Sequence, residues 1–306
     1  MKIQTYLYAL TAAAIALSGC SQDNGGNDFP TPEPEPTPTP AAKMEIRINP
    51  TAGATKATDQ EFENGDRISL YVVNYDGDNP GTLADSGNYV DNMRFTYSGS
   101  WTPDEKIYWK DATTRADIYL VYPYQGITSV GGMVFSVSTD QSSEESYKAC
   151  DLMIGKASGV TPTEDAVNIT ANHVMSRLSI KLEPGNGFTQ EELDNADVSV
   201  RINGFRTSAS IDIASSTVTP TGEINSITPF LKDNVYRAYV FPQSTGQINL
   251  ITITVNGKEY NFKNDLSFNG GRNYGFSVKL AKTSAGINVS IGEWFDDGTD
   301  FGGTAE

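Results

Sequence analysis

The chain has 306 residues, with 38 acidic side chains against 22 basic ones and a formal charge of −16 when histidine is neutral. That balance excludes a phosphate-binding surface, which needs clustered lysine and arginine, so nucleic acid is not an expected partner. Two cysteines are too few for a disulfide framework, and the single histidine, His173, excludes a histidine-rich metal centre.

Residues 1–19, MKIQTYLYALTAAAIALSG, have one early positive charge at Lys2 and an apolar run from Tyr6 to Leu17. This is the pattern of an export signal, and the run is short of the roughly 20 apolar residues that a permanent membrane helix needs. Leu17-Ser18-Gly19-Cys20 resembles the lipobox of lipoprotein signal peptides. The expectation is cleavage before Cys20 and attachment of lipid, with fatty acyl (palmitate) chains, at its nucleophilic sulfur. Residues 20–43 then form a tether. Its PTPEPEPTPTP run at 30–40 cannot pack a core and favours an extended polyproline II stalk.

Beyond the tether, short alternating apolar runs dominate. They include 44–48 (MEIRI), 68–72 (ISLYV), 118–122 (IYLVY), 133–137 (MVFSV), 178–182 (LSIKL), 198–202 (VSVRI), 211–213, 236–241, 248–255, 259–262 and 274–280. Gly, Pro, Asn, Asp or Ser separates each from the next, the pattern of antiparallel sandwiches with one buried face. Asn256-Gly257 accepts the positive φ angles of a type I′ turn and predicts a hairpin over 248–262. Thr189 with Glu192 three residues later is a capping box and predicts a short connecting helix. Pro184 and Gly185 just before it mark a boundary between an N-terminal sandwich, 44–185, and a C-terminal one, 186–306. The fold class is therefore all-β, two antiparallel sandwiches in tandem.

No catalytic constellation accompanies this fold, and the chain is read as a non-enzyme without cofactor or metal. No G-x-S-x-G elbow, phosphate loop or metal-spaced cysteine pair occurs. His173, at the mouth of a strand, reads as a hydrogen-bonded structural imidazole, and Cys150 as a half-buried small residue near a strand start. Asn74, Asp76, Asp78 and Asp85 place oxygens at alternate positions like a calcium loop. The sixth and twelfth places hold Asn79 and Asp85 where an EF-hand needs Gly and Glu, so turn chemistry is the better reading. Tyr89, Tyr97, Trp101, Tyr108, Trp109, Tyr119, Tyr122 and Tyr124 crowd the first half. They read as core rings, and as sugar-stacking rings in the alternative of a surface glycan-binding lipoprotein that does not polymerise.

Several spaced features together resemble the fimbrillin-like family of fimbrial subunits from Gram-negative anaerobes. They are Phe62-Glu63-Asn64-Gly65-Asp66-Arg67-Ile68-Ser69-Leu70-Tyr71, Trp101-Thr102-Pro103 with Tyr108-Trp109, and Ile118 to Tyr124. Asp151-Leu152-Met153, Asn172-His173 before Leu178-Ser179-Ile180, Phe241-Pro242-Gln243, Gly270 to Tyr274 and Ile291-Gly292-Glu293-Trp294 follow in order. The resemblance implies an adhesive fimbrial component at the outer membrane surface whose partners are other subunits, with a host or microbial surface as ligand. It also implies that a protease removes the first strand, so that a neighbour's strand can fill the groove. Here Met44, Ile46 and Ile48 match that strand, and Lys56-Ala57 match the processing site in place of the family's usual Arg; Arg47 is a second candidate within the strand. Beyond Trp294 only FDDGTDFGGTAE remains, with no alternating apolar run to donate, which points to a tip or accessory subunit.

Overall fold

The computed structural model describes residues 43–53, 61–283 and 286–291. In chain order the first elements are β1 (Ile48–Ala52), β2 (Arg67–Asn74), β3 (Val90–Tyr97), β4 (Trp101–Pro103), β5 (Ala116–Tyr122), β6 (Met133–Ser136), α1 (Glu144–Lys148), β7 (Met153–Val160) and β8 (Val167–His173). There follow β9 (Ser176–Pro184), α2 (Gln190–Asp194), β10 (Val198–Asp212), β11 (Thr217–Ile227), β12 (Phe230–Lys232), β13 (Val235–Val240), β14 (Ile248–Val255), β15 (Lys258–Asn264), β16 (Arg272–Thr283) and β17 (Gly286–Ile291). The chain is all-β, as its alternation predicts.

A seven-stranded sheet has the order β1-β8-β7-β5-β2-β3-β4. Two five-stranded sheets follow: β11-β10-β14-β15 with β6 also on β10, and β12-β13-β9-β16-β17. Most pairs are antiparallel, but β1 runs parallel to β8 and β16 parallel to β9. The last two sheets enclose a core that includes Leu178, Ile180, Val200, Ile202, Ile253 and Phe276.

The seven-stranded sheet departs from the expected single buried face. Ile118 and Leu120 of β5 face one core with Ile46, Ile48, Leu70 and Trp109. Tyr119 and Val121, on the opposite side of the same strand, face another with Tyr71, Phe135, Ile211 and Phe241. The second face is covered because β6 and the end of β10 pack across it. Alternate side chains on both faces are therefore apolar, as in any strand covered twice.

The chain leaves the seven-stranded sheet after β8. The run at 178–182, on the N-terminal side of residue 185, lies in β9 and pairs with β13 and β16 of the last sheet, while β6 from the first half pairs with β10. Local punctuation at Pro184-Gly185 marks the end of β9, which is a weaker event than the change of sheet. The run at 198–202 and residues 211–212 of the next belong to one strand, β10, with irregular register around Gly204 at φ +87°. The predicted hairpin is β14–β15, with Asn256 at φ 49° and Gly257 at φ 80°. The capping box is present: Glu192 N–H donates to Thr189 Oγ1 at 3.2 Å and Thr189 N–H to Glu192 Oε2 at 3.0 Å.

Candidate functional site

The first described segment closes an edge of the seven-stranded sheet in two steps. Residues 44–46 lie antiparallel to 107–109: Ile46 N–H donates to Ile107 O and Trp109 N–H to Met44 O, both at 2.9 Å. The chain then turns onto β8, where Val167 N–H donates to Arg47 O at 2.8 Å and β1 runs parallel from Ile48 opposite Val167 to Ala52 opposite Ala171. The regular strand thus begins at Ile48, where the sequence reading ended one. Pro50 accounts for the difference, because a residue with no N–H is tolerated in an edge strand. Ile46 is 1% and Ile48 6% exposed, and both pack with Trp109, Val167 and Ile169. Full burial of two such side chains contributes about 3–6 kcal/mol. Met44 packs against the same core more loosely. The Arg47 side chain bonds Glu164 O at the surface, and Gly53 allows close approach, since a Cβ there would sit 2.8 Å from Asn172 Oδ1.

A second feature is a cavity of about 300 Å³ where the end of β8, α1, β12 and β13 converge. His173 Nδ1 lies 2.6 Å from Asp151 Oδ1, and Tyr239 donates its hydroxyl to Asp151 Oδ2 at 3.2 Å. Tyr147 stacks between Phe230 and Tyr239, with centroids 5.3 and 4.8 Å away. Another wall sets Phe62 edge-on to Tyr122 at 5.6 Å. Asp66 there accepts from the Tyr122 hydroxyl at 3.2 Å and from Glu63 N–H at 2.7 Å. Burial first, then the charges of Asp66 and Asp151, hold the Tyr122 hydroxyl far above the usual phenol range, so it stays a donor. Burial likewise pushes Tyr147 up to about 12 and Tyr239 well above its ordinary value.

His173 is thus a buried, hydrogen-bonded imidazole at the end of β8. Its neighbours in the cavity come from six separated stretches of chain, and no local spacing announces them. The resemblance motifs include some of them, at Phe62 to Asp66, Tyr122, Asp151 and Met153, and the alternating run at 236–241 contains Arg237 and Tyr239. Cys150 is 2% exposed, more deeply placed than expected, and lies between α1 and the start of β7. Burial pushes its thiol up to about 11. The acidic loop serves turns and loop contacts: Asp76 and Asn79 exchange backbone bonds at 3.0 Å, Asp78 pairs with Arg115 at 2.7 Å, and Asp85 accepts from Val130 N–H at 2.7 Å. Of the crowded rings, Trp109 and Tyr119 are buried, Tyr97, Trp101, Tyr108, Tyr122 and Tyr124 half-buried, and Tyr89 exposed. Cys20, Lys56 and Ala57 lie outside the described residues.

The fold is similar to solved structures of cell adhesion proteins from Bacteroides uniformis and Bacteroides ovatus. The first has TM-score 0.62 and 20% identity over 81% of this chain and 96% of that one; the second has 0.63 and 18% over 83% and 98%. In sequence, the chain is 28% identical over 308 residues to a protein of Bacteroides uniformis named as fimbrium subunit Fim1C, covering 96% of each. It is 26% identical over 181 residues to a Bacteroides ovatus protein named as a fimbrium tip subunit, a match spanning 54% of this chain and 32% of that protein. The profile described as fimbrillin-like matches residues 55–294, most of the chain, and the protein belongs to the fimbrillin-like family.

Proposed function

We propose that this protein is a non-enzymatic subunit of a cell-surface fimbrium, exported as a lipoprotein through Cys20 and joined to other subunits by strand complementation in a tip or accessory position. The observation that supports it best is the closure of the first sheet by residues 44–52. This segment supplies backbone partners to β8 and to residues 107–109, and supplies Ile46 and Ile48 to the core. Its loss would bare one edge of β8 beside an apolar trough, the arrangement that a strand from a neighbour can fill. Family membership and the fimbrium subunit relative agree with that reading. A tip or accessory position rests on the acidic, glycine-rich sequence of 295–306, which has no alternating apolar face to offer a neighbour.

The test is limited trypsin treatment to cut after Lys56, separation of the released peptide under mild denaturant, and thermal melts of the remainder alone and with added peptides. The expected result is a lower melting temperature that a peptide of residues 44–53 restores by binding the native state, while a peptide of residues 295–306 does not. Unchanged melting after mass spectrometry verifies the removal would refute the groove. Rescue by residues 295–306 would refute the tip or accessory position and make this an ordinary polymerising subunit.

A further inference from the structure

The cavity beside His173 plays no part in strand complementation, yet it is lined as a receptor. At about 300 Å³ it lies at the small end of ligand sites, room for one side chain or small amine rather than a run of sugars. It opens where separate sheets meet, a common position for binding sites.

Its charges are not balanced. Beside the buried guanidinium of Arg177, which acts on Tyr147 and Tyr239, five carboxylates line it against Lys148, Lys232 and Arg237. The two lysines are already paired, Lys148 with Glu63 at 2.8 Å and Glu144 at 3.3 Å and Lys232 with Glu144 at 3.9 Å, while Arg237 donates to the neutral Lys232 O at 2.9 Å. Asp66 instead receives only neutral donors, the Tyr122 hydroxyl and the Glu63 N–H, among the contacts given above. Glu61 stands exposed at the rim with no ion pair among the described residues. Phe62 lies between these two carboxylates in sequence; its ring is half-buried, in edge contact with Trp101 at 4.9 Å and Tyr122 at 5.6 Å, and also lines the cavity. Tyr147, by contrast, is already stacked on both Phe230 and Tyr239.

We propose that this cavity binds the basic side chain, arginine or lysine, of a partner polypeptide, with the cation between Asp66 and Glu61 and against the rings of Phe62 and Tyr122. The strongly acidic chain draws such a segment toward it. The inference stands apart from the strand-exchange reading, because it requires binding by the monomer with residues 44–56 in place.

The experiment titrates the full chain with N-acetyl-arginine amide and N-acetyl-lysine amide, followed by ligand-observed NMR. N-acetyl-norleucine amide, N-acetyl-glutamate amide and methyl galactoside serve as comparisons. Saturable millimolar binding of the cationic probes is expected, weakened several-fold by raising salt from low to physiological levels. Glu61→Gln and Phe62→Leu should each weaken it several-fold, and Asp66→Asn by about tenfold if a melt shows that the variant folds; the first two carry the test if it does not. No binding of either cation would overturn the proposal. So would equal binding of norleucine amide, preference for the glutamate or sugar probe, or binding that none of the folded variants alters.

Discussion

Asp117 is a buried carboxylate near the start of the apolar strand β5, 2% exposed, and its partners explain why it is tolerated. Burial alone would raise its pKa. The Lys156 ammonium at 2.8 Å, the Gly159 N–H at 2.8 Å and the Tyr75 hydroxyl at 3.0 Å outweigh that effect and hold it below the ordinary value. Gly159 fits this role because it takes φ +61°, close to the Tyr75 ring. A carboxylate with a depressed folded pKa contributes stability above its unfolded value of about 3.9 and loses it as pH falls through the folded value. The melting temperature of the wild type should therefore exceed that of Asp117→Asn most at neutral pH, and the gap should narrow as pH drops below about 4. A gap of constant size from pH 7 to pH 3 would show that the charge contributes nothing. His173 and Cys150 belong at this scale too, both buried and both bonded to neighbours.

Two glycines show how differently one residue type serves an element. Gly257 in the β14–β15 turn has φ +80°, and a Cβ there would meet nothing within 4 Å. Its substitution by Ala costs only the left-handed backbone strain, about 1–2 kcal/mol. Gly155 lies within β7 between β5 and β8, where a Cβ would sit 2.7 Å from the backbone oxygen of Thr170. That oxygen cannot retreat without disturbing the pairing of β7 with β8. Gly155→Ala should accordingly destabilise the protein more than Gly257→Ala in urea unfolding; the reverse order would mean that the sheet yields easily there. The same contrast explains why strands such as β7 and β11 are faint in sequence. MIGKASGV carries two glycines, and TVTPTGEINSI carries Pro220 and Gly222 on an edge strand where neither disrupts a ladder on both sides.

At the scale of the molecule, attachment and assembly are separable. Among the described residues no helix is long and apolar enough to cross a membrane. Lipid on Cys20 is the proposed hold, and Cys20→Ser should move the protein from membrane to soluble fractions and abolish labelling by a fatty acid. Retention of either label or membrane association would refute that role.

The sequence by itself determined the all-β class, the β14–β15 hairpin and the α2 capping box. Each of these follows from a period of two or from a short-range bond between residues a few positions apart. Only the tertiary structure decided the rest. That β5 is covered on both faces depends on β6 and the end of β10 crossing from elsewhere in the chain. That β9 leaves the first half for the last sheet depends on pairing with β16, more than ninety residues later. The cavity draws Phe62, Tyr122, Asp151, His173 and Arg237 from distant strands and loops. Alternation states which side of a strand is apolar, but the neighbour that covers it is chosen by long-range pairing, which leaves no local signature.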